Sequence, residues 1–350
     1  MTPALSSNFA SKTAPGPTPV PSPAPTPVPV QTSSTVITTL VRGIRIEAED
    51  IRSFELVAPP GERLPAWSPG AHVQVFLPGQ ISRAYSLCNH AGETDCYRIA
   101  VKLDAQSRGG SRAMHQLVPG DRLPISAPRN LFELDSSAQR HVLIAGGIGI
   151  TPLYSMFNAL LTTSNCTMHY FSRSAAHAAF VDRMQFHSSF HFGLDAEETS
   201  RRLREIVTLA GEQPNTAFYT CGPTAFMSAV ERARAEAGIA ATRLRSERFG
   251  AELAPVEVRP MHDSFRVIFA RSKIEVEVPA GVRIIDVARA NGVNIPTSCE
   301  QGVCGACLSD VLEGVAEHHD AYLSDDERAS GKFMLPCVSR CAGAWLTLDR

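Results

Sequence analysis

No stretch of the 350 residues runs apolar for the roughly 20 positions that a membrane-spanning helix needs. The first residues, Met1 to Ala10, have neither the basic start nor the apolar run of a secretory signal. Charge is scarce in sum: 33 Lys and Arg against 35 Asp and Glu leave a net of −2, which gives no general reason to expect nucleic acid as a partner. A disulfide framework is also missing. The nine cysteines are an odd number, and Cys88, Cys96, Cys166, Cys221 and Cys341 are scattered without pattern. That usage fits a reducing cytoplasm, where the chain is expected to work. Neither G-x-G-x-x-G nor the phosphate loop ending in Gly-Lys-Ser/Thr occurs, so the two common nucleotide fingerprints are absent.

The other four cysteines do form a pattern. Cys299-Glu-Gln-Gly-Val-Cys304-Gly-Ala-Cys307 reads C-x4-C-x2-C, and Cys337 follows after 29 further residues. This is plant-type ferredoxin spacing for four thiolates on a [2Fe–2S] cluster. Gly302 and Gly305 would let the loop turn tightly and bring backbone N–H groups to the sulfurs. Structural zinc prefers two close cysteine pairs, and only one such pair is present. A cluster of this kind passes single electrons, so something else in the chain must supply them.

Residues 1–35 are not a fold: from Pro15 to Pro29 every second residue is proline, which leaves an extended arm. From Thr35 the chain changes to short β-type runs at Thr35–Ile46, Ser53–Val57, His72–Phe76, Tyr97–Leu103 and Arg122–Ile125, the rhythm of an antiparallel barrel or sandwich. Arg83-Ala84-Tyr85-Ser86 offers a cation for phosphate, an aromatic face and a hydroxyl, the three kinds of contact a flavin uses. Gly109-Gly110-Ser111 precedes a short helix at Arg112–Leu117, whose N–H groups suit a phosphate. Strands then alternate with helices, as in a parallel sheet. The strand His141–Ala145 runs into Gly146-Gly147-Ile-Gly149-Ile-Thr151-Pro152 and a helix at Leu153–Leu161, with Thr151 expected as N-cap and Pro152 as first helical residue. Strands at Thr167–Ser172 and Thr216–Cys221 follow, the latter leading into Cys221-Gly222-Pro223. A hairpin at Phe265–Phe269 and Ile274–Val278 and a helix near Ile284–Ala290 precede the cluster loop, and a strand near Trp345–Leu348 ends the chain.

These motifs occur in an order that resembles the phthalate dioxygenase reductase and vanillate O-demethylase reductase family, over roughly residues 36–350. The resemblance implies a multidomain chain: a flavin-binding antiparallel β-barrel over 36–137, a ferredoxin-reductase-like α/β parallel-sheet nucleotide domain over 138–250, a linker over 251–262 and a C-terminal α+β plant-type ferredoxin domain over 263–350. It implies FMN held by Arg83, Ala84, Tyr85 and Ser86, by the backbone of Ala100, Val101 and Lys102, and by Gly109, Gly110 and Ser111, with Phe249 covering the ring. Gly147 and Gly149 would meet the pyrophosphate of NADH, with Thr151 shared between dinucleotide and FMN, and Cys221, Gly222 and Pro223 would line the nicotinamide pocket. Cys299, Cys304, Cys307 and Cys337 would hold the cluster.

The implied activity is that of an NAD(P)H-dependent reductase component of an aromatic-ring oxygenase or O-demethylase, passing electrons to a Rieske-type oxygenase as a monomer. A stand-alone electron carrier or redox sensor, or a simple flavin reductase, are the competing readings. No acid–base residue is required, so His72, His90, His115 and the pair His318-His319 receive no catalytic role. Arg173, after the second strand of the nucleotide domain, leaves NADPH open beside NADH. No Lys or Arg lies between Cys299 and Glu327, so the acids of that segment are expected to steer a basic partner.

Overall fold

The computed structural model describes residues 36–107, 109–161, 165–184, 186–249, 264–297, 300 and 302–350. The proline-rich arm, Gly250, the linker over 251–262 and Cys299 lie outside the described residues.

Strands β1 (Val36–Ala48), β2 (Ile51–Val57), β3 (His72–Leu77), β4 (Ile81–Ser86), β5 (Tyr97–Lys102) and β6 (Arg122–Ser126) form one antiparallel sheet in the order β4-β3-β6-β1-β2-β5. Leu87, just past β4, bridges to Ile99 in β5, so the two ends of the sheet meet and it rolls into a barrel. Inward-facing Val41, Phe54, Leu56, Val73, Val75, Ile99, Leu123 and Ile125 fill it. Each such side chain contributes about 1.5–3 kcal/mol by burial. The helix α1 (Gly110–Gln116) follows β5. Five strands fall within two residues of their expected limits. The sixth, β4, breaks the alternation because polar residues point to both of its faces.

The second sheet is wholly parallel. It is built from β7 (Arg140–Gly146), α2 (Ile150–Leu160), β8 (Cys166–Ser172), β9 (Ser188–Phe192), α3 (Ala196–Gly211), β10 (Thr216–Gly222), α4 (Thr224–Glu236) and β11 (Leu244–Arg248), with strand order β11-β10-β7-β8-β9. β7 is buried from His141 to Gly146, as a central parallel strand covered on both faces must be. Leu153, Met156 and Phe157 of α2 pack one face, while Leu203, Ile206 and Val207 of α3 and Val230 and Ala233 of α4 pack the other. The chain moves outward from β7 in both directions, so a crevice opens where β7 and β10 end.

The loop after β7 corrects one expectation. A 3-10 turn, Gly147–Gly149, comes first, and α2 starts at Ile150 with Gly149 as N-cap, so Thr151 lies inside the helix. The cause is close packing: a Cβ on Gly149 would overlap the carbonyl of Cys221, which pins the turn against the end of β10. The Thr151 hydroxyl donates to the Ile148 carbonyl at 3.1 Å instead of capping. Pro152 remains in the first turn, where its missing N–H costs nothing.

The third sheet is mixed. β12 (Phe265–Phe269), β13 (Ile274–Val278), α5 (Ile284–Ala290), β14 (Ser309–Glu317), α6 (Asp325–Ala329), β15 (Phe333–Met334) and β16 (Arg340–Leu348) give the order β13-β12-β16-β14-β15, with β12 and β16 parallel. Its own core joins Phe265, Val267, Ile284, Ile285, Leu346 and Leu348 to Cys307 and Cys337. Among the described residues no helix is long and apolar enough to cross a membrane.

Candidate active site

A cavity of about 530 Å³ opens where the three sheets meet. From β4 it is lined by Arg83, Ala84, Tyr85 and Ser86, from the start of α1 by Gly110 and Ser111, and from β11 and beyond by Glu247, Arg248 and Phe249. Val303 and Cys304 of the cysteine loop, with Ala321, complete the wall. Four residue types converge there: a guanidinium, a phenol, hydroxyls and a carboxyl.

The glycines at the α1 end are needed for space. Gly109 has φ 93, and a Cβ on it would come within 2.6 Å of Ile81. A Cβ on Gly110 would meet Arg83 Cγ at 2.7 Å, so the arginine stem lies directly on this turn. The Arg83 guanidinium donates to the Ser82 carbonyl (2.8 Å) and, across to the cysteine loop, to the Thr297 carbonyl (3.3 Å). Burial pushes the Tyr85 phenol up to about 12, partly offset by Arg83.

At the far side, Ser86 Oγ donates to Glu247 Oε2 at 3.4 Å. Burial pushes the Glu247 carboxyl up to about 8, with the Ser86 hydroxyl pulling the other way, so it carries a proton at neutral pH. Glu247 was not among the expected site residues, although it opens the Glu-Arg-Phe-Gly run that ends the nucleotide domain. His72 also faces the cavity. Neither of its ring nitrogens has a hydrogen-bond partner among the described residues. Burial, with help from Arg129, lowers its imidazole to about 4, so it is neutral.

The cysteine loop fits a cluster in its backbone. Gly302 (φ 73) and Gly305 (φ 75) both sit in the left-handed region. A Cβ on Gly302 would come within 2.6 Å of Val338, and one on Gly305 would overlap the Tyr322 ring. The Ala306 N–H points at Cys304 Sγ at 3.5 Å, the kind of contact that tunes a thiolate. Cys307 and Cys337 are buried and Cys304 is half-buried; Cys299 lies outside the described residues.

Besides the Arg83–Thr297 bond, two further contacts bind this region to the barrel. The Gln74 side-chain amide of β3 donates to the Cys304 carbonyl. Arg129, after β6, makes a two-point pair with Glu327 (3.0 and 2.7 Å), donates to the Tyr322 carbonyl, and lies 3.8 Å over the Tyr322 ring. That ring is the one packed against Gly305.

A second cavity, about 310 Å³, lies at the crevice of the parallel sheet and is lined by Gly146, Gly147, Ser172, Arg173, Pro223 and Phe226. Beside it lies a glycine crossing: a Cβ on either Gly146 or Gly222 would strike the Phe226 ring at 2.8 Å.

The chain aligns with the vanillate O-demethylase oxidoreductase of Pseudomonas sp. (strain HR199 / DSM 7063) at 40% identity over 321 residues, 90% of this chain and 100% of that one. It aligns with the carnitine monooxygenase reductase subunit of Escherichia coli (strain K12) at 42% over 308 residues, 86% and 94% of the two chains. The solved phthalate dioxygenase reductase, described as a modular structure for electron transfer from pyridine nucleotides to [2Fe-2S], superposes with a TM-score of 0.63 at 34% identity, covering 90% of this chain and 98% of that one. The chain belongs to the phthalate dioxygenase reductase family. Residues 267–342 also match the 2Fe-2S iron-sulfur cluster binding domain, and 126–244 the N-terminal domain of dimethylamine monooxygenase subunit DmmA-like proteins.

As a member of this family the chain is an NAD(P)H-dependent iron–sulfur flavoprotein oxidoreductase, with a flavin, NAD(H) and a [2Fe–2S] cluster as its redox groups. Of the residues expected to serve them, Arg83, Ala84, Tyr85, Ser86, Gly110, Ser111, Phe249 and Cys304 meet at the first cavity, and Lys102, Gly147 and Pro223 line the second. Ala100, Val101, Gly149, Thr151, Cys221 and Gly222 line neither. Ala100, Val101, Thr151 and Cys221 are buried, and Gly149 and Gly222 serve the close approach of β7 to β10. Gly109 acts on Ile81 and not on the cavity.

Proposed function

We propose that the chain is the reductase component of an aromatic-ring oxygenase or O-demethylase system, and that it uses FMN and delivers electrons to a Rieske-type oxygenase. The observation that carries this reading is Cys304, a thiol of the ferredoxin pattern whose residue is itself part of the flavin cavity wall. A flavin in that cavity supplies the conversion of a two-electron hydride donor into single electrons, which the cluster cannot perform alone.

The chain's own residues do the rest. Arg83 and Ser111 would take the flavin phosphate, and Tyr85 and Phe249 would bracket the ring. Glu247 holds a proton on a carboxyl hydrogen-bonded to Ser86, so the cavity gains a neutral polar edge in place of a charge. Gln74 and Arg129 fix the cysteine loop to the barrel, which keeps the electron's path short and of constant length. The glycine crossing at Gly146 and Gly222 would let a dinucleotide backbone lie against the strand ends.

Replacing Cys304 with Ser tests the route. NADH oxidation by ferricyanide should persist, while reduction of cytochrome c should fall to background. Loss of both would show that the flavin and cluster halves do not work in series as proposed.

A further inference from the structure

The feature that bears on nucleotide choice belongs to the barrel and not to the nucleotide-binding sheet. The turn between β1 and β2, Glu49-Asp50, reaches across to the carboxyl end of β8. The Glu49 N–H donates to the Ala176 carbonyl at 2.8 Å. The Asp50 carboxylate pairs with Arg173 at 3.4 Å, and the Glu49 carboxylate lies 3.3 Å from His177 Nε2. Asp50 holds φ 64, which turns the chain sharply enough to present both acids to the same neighbour. One turn back, Glu47 pairs with Arg183 at 3.1 Å, its side chain only 4% exposed, so the hairpin is anchored.

Glu49 and Arg173 both line the crevice cavity, beside Gly147 and Ser172. In sheets of this kind the end of the second strand reads the ribose 2′ position: an acid binds a 2′-hydroxyl and an arginine accepts a 2′-phosphate. Here the arginine is present but already faces one carboxylate, with a second on the adjoining residue. A 2′-phosphate would have to displace Asp50 from Arg173 and stand beside Glu49, whereas a 2′-hydroxyl needs neither. Lys102 is the other Lys or Arg on this wall, at the end of β5. The Arg173–Asp50 pair is exposed and adds little to stability; its effect is on what Arg173 can bind. Resting on the crevice as the pyridine-nucleotide site, we propose that Glu49 and Asp50 make this reductase select NADH by rejecting the 2′-phosphate of NADPH.

The test uses the full-length holoprotein and two fragments, AMP and 2′-phospho-AMP, whose binding is measured by calorimetry without turnover. The wild type should bind AMP the tighter. In Glu49→Gln/Asp50→Asn the preference should shift toward 2′-phospho-AMP by about tenfold, as expected for removing two nearby charges. Asp50→Asn alone, which spares the Glu49 contacts, should shift it part of the way. Adding Arg173→Ala to the double variant should restore discrimination. A wild type that prefers 2′-phospho-AMP, or a preference unchanged in both variants, would overturn the proposal. If AMP binds to no form while NADH still reduces the flavin, the placement of the nucleotide in this crevice fails, and the proposal with it.

Discussion

Glu247 shows how one side chain can carry a pH signature for the whole fold. Its unfolded-state carboxyl loses its proton in the ordinary range near 4.5, whereas in the folded chain it keeps it to about 8. Between those values the folded state binds more protons than the unfolded one, so stability falls as pH rises through that window. Glu247→Gln should remove this part of the slope, leaving the thermal midpoint of the variant flatter than the wild type from pH 5 to 8 or so. An equal slope in both proteins would mean that the carboxyl titrates normally. Glu247 lies two residues before the expected Phe249; what could not be read was that β11 delivers it next to Ser86, 161 positions away in the chain. Gly302 and Gly305, by contrast, were legible from type and spacing alone, because a loop of that pattern has few ways to turn.

Among the elements, the connection from β6 ties the cluster region to the barrel through an ion pair. Arg129 and Glu327 are largely shielded from water, with side chains 19% and 13% exposed, so their pairing is stronger than a surface ion pair. Arg129→Ala should slow cytochrome c reduction by about tenfold or more through loss of positioning, while NADH oxidation by ferricyanide changes by less than about twofold. Cytochrome c reduction at the wild-type rate would show that the pairing is not what holds the cluster loop in place. Elements with one dominant pattern were readable in advance: β12, β13 and α5 lie where hydrophobic periodicity puts them. The start of α2 was not, because the glycine turn before it is set by contact with β10 rather than by local capping preference. α3 went unnamed although Asp195 and Glu198 form a capping box at its start, since its apolar face is narrow among Glu and Arg residues.

At the scale of the whole molecule, the acidic stretch beside the cluster looks different once folded. Of its eight acids, Glu300 pairs with Arg283 and Arg289, Asp320 and Asp325 share Arg328, and Glu327 pairs with Arg129, while Glu317 faces His319, an ion pair only when that imidazole is protonated. Only Asp310, Glu313 and Asp326 have no ion pair among the described residues. One-signed charge in the sequence therefore becomes internal pairing in space, and long-range steering of a basic partner should be weak. The rate of cytochrome c reduction should change by less than about threefold between 50 and 300 mM salt, a range over which the screening length more than halves. A fall of about tenfold or more would restore the segment as a steering surface.

The first cavity takes its walls from His72 at one end of the chain order and Ala321 at the other. A ribosome releases these parts at well-separated times, and domains fold as they emerge. The barrel can close early, but the pocket it offers stays open on one side until the last third of the protein has been made and has docked. A flavin held in that pocket would therefore be enclosed only late in the life of the nascent chain, once the ferredoxin unit has docked.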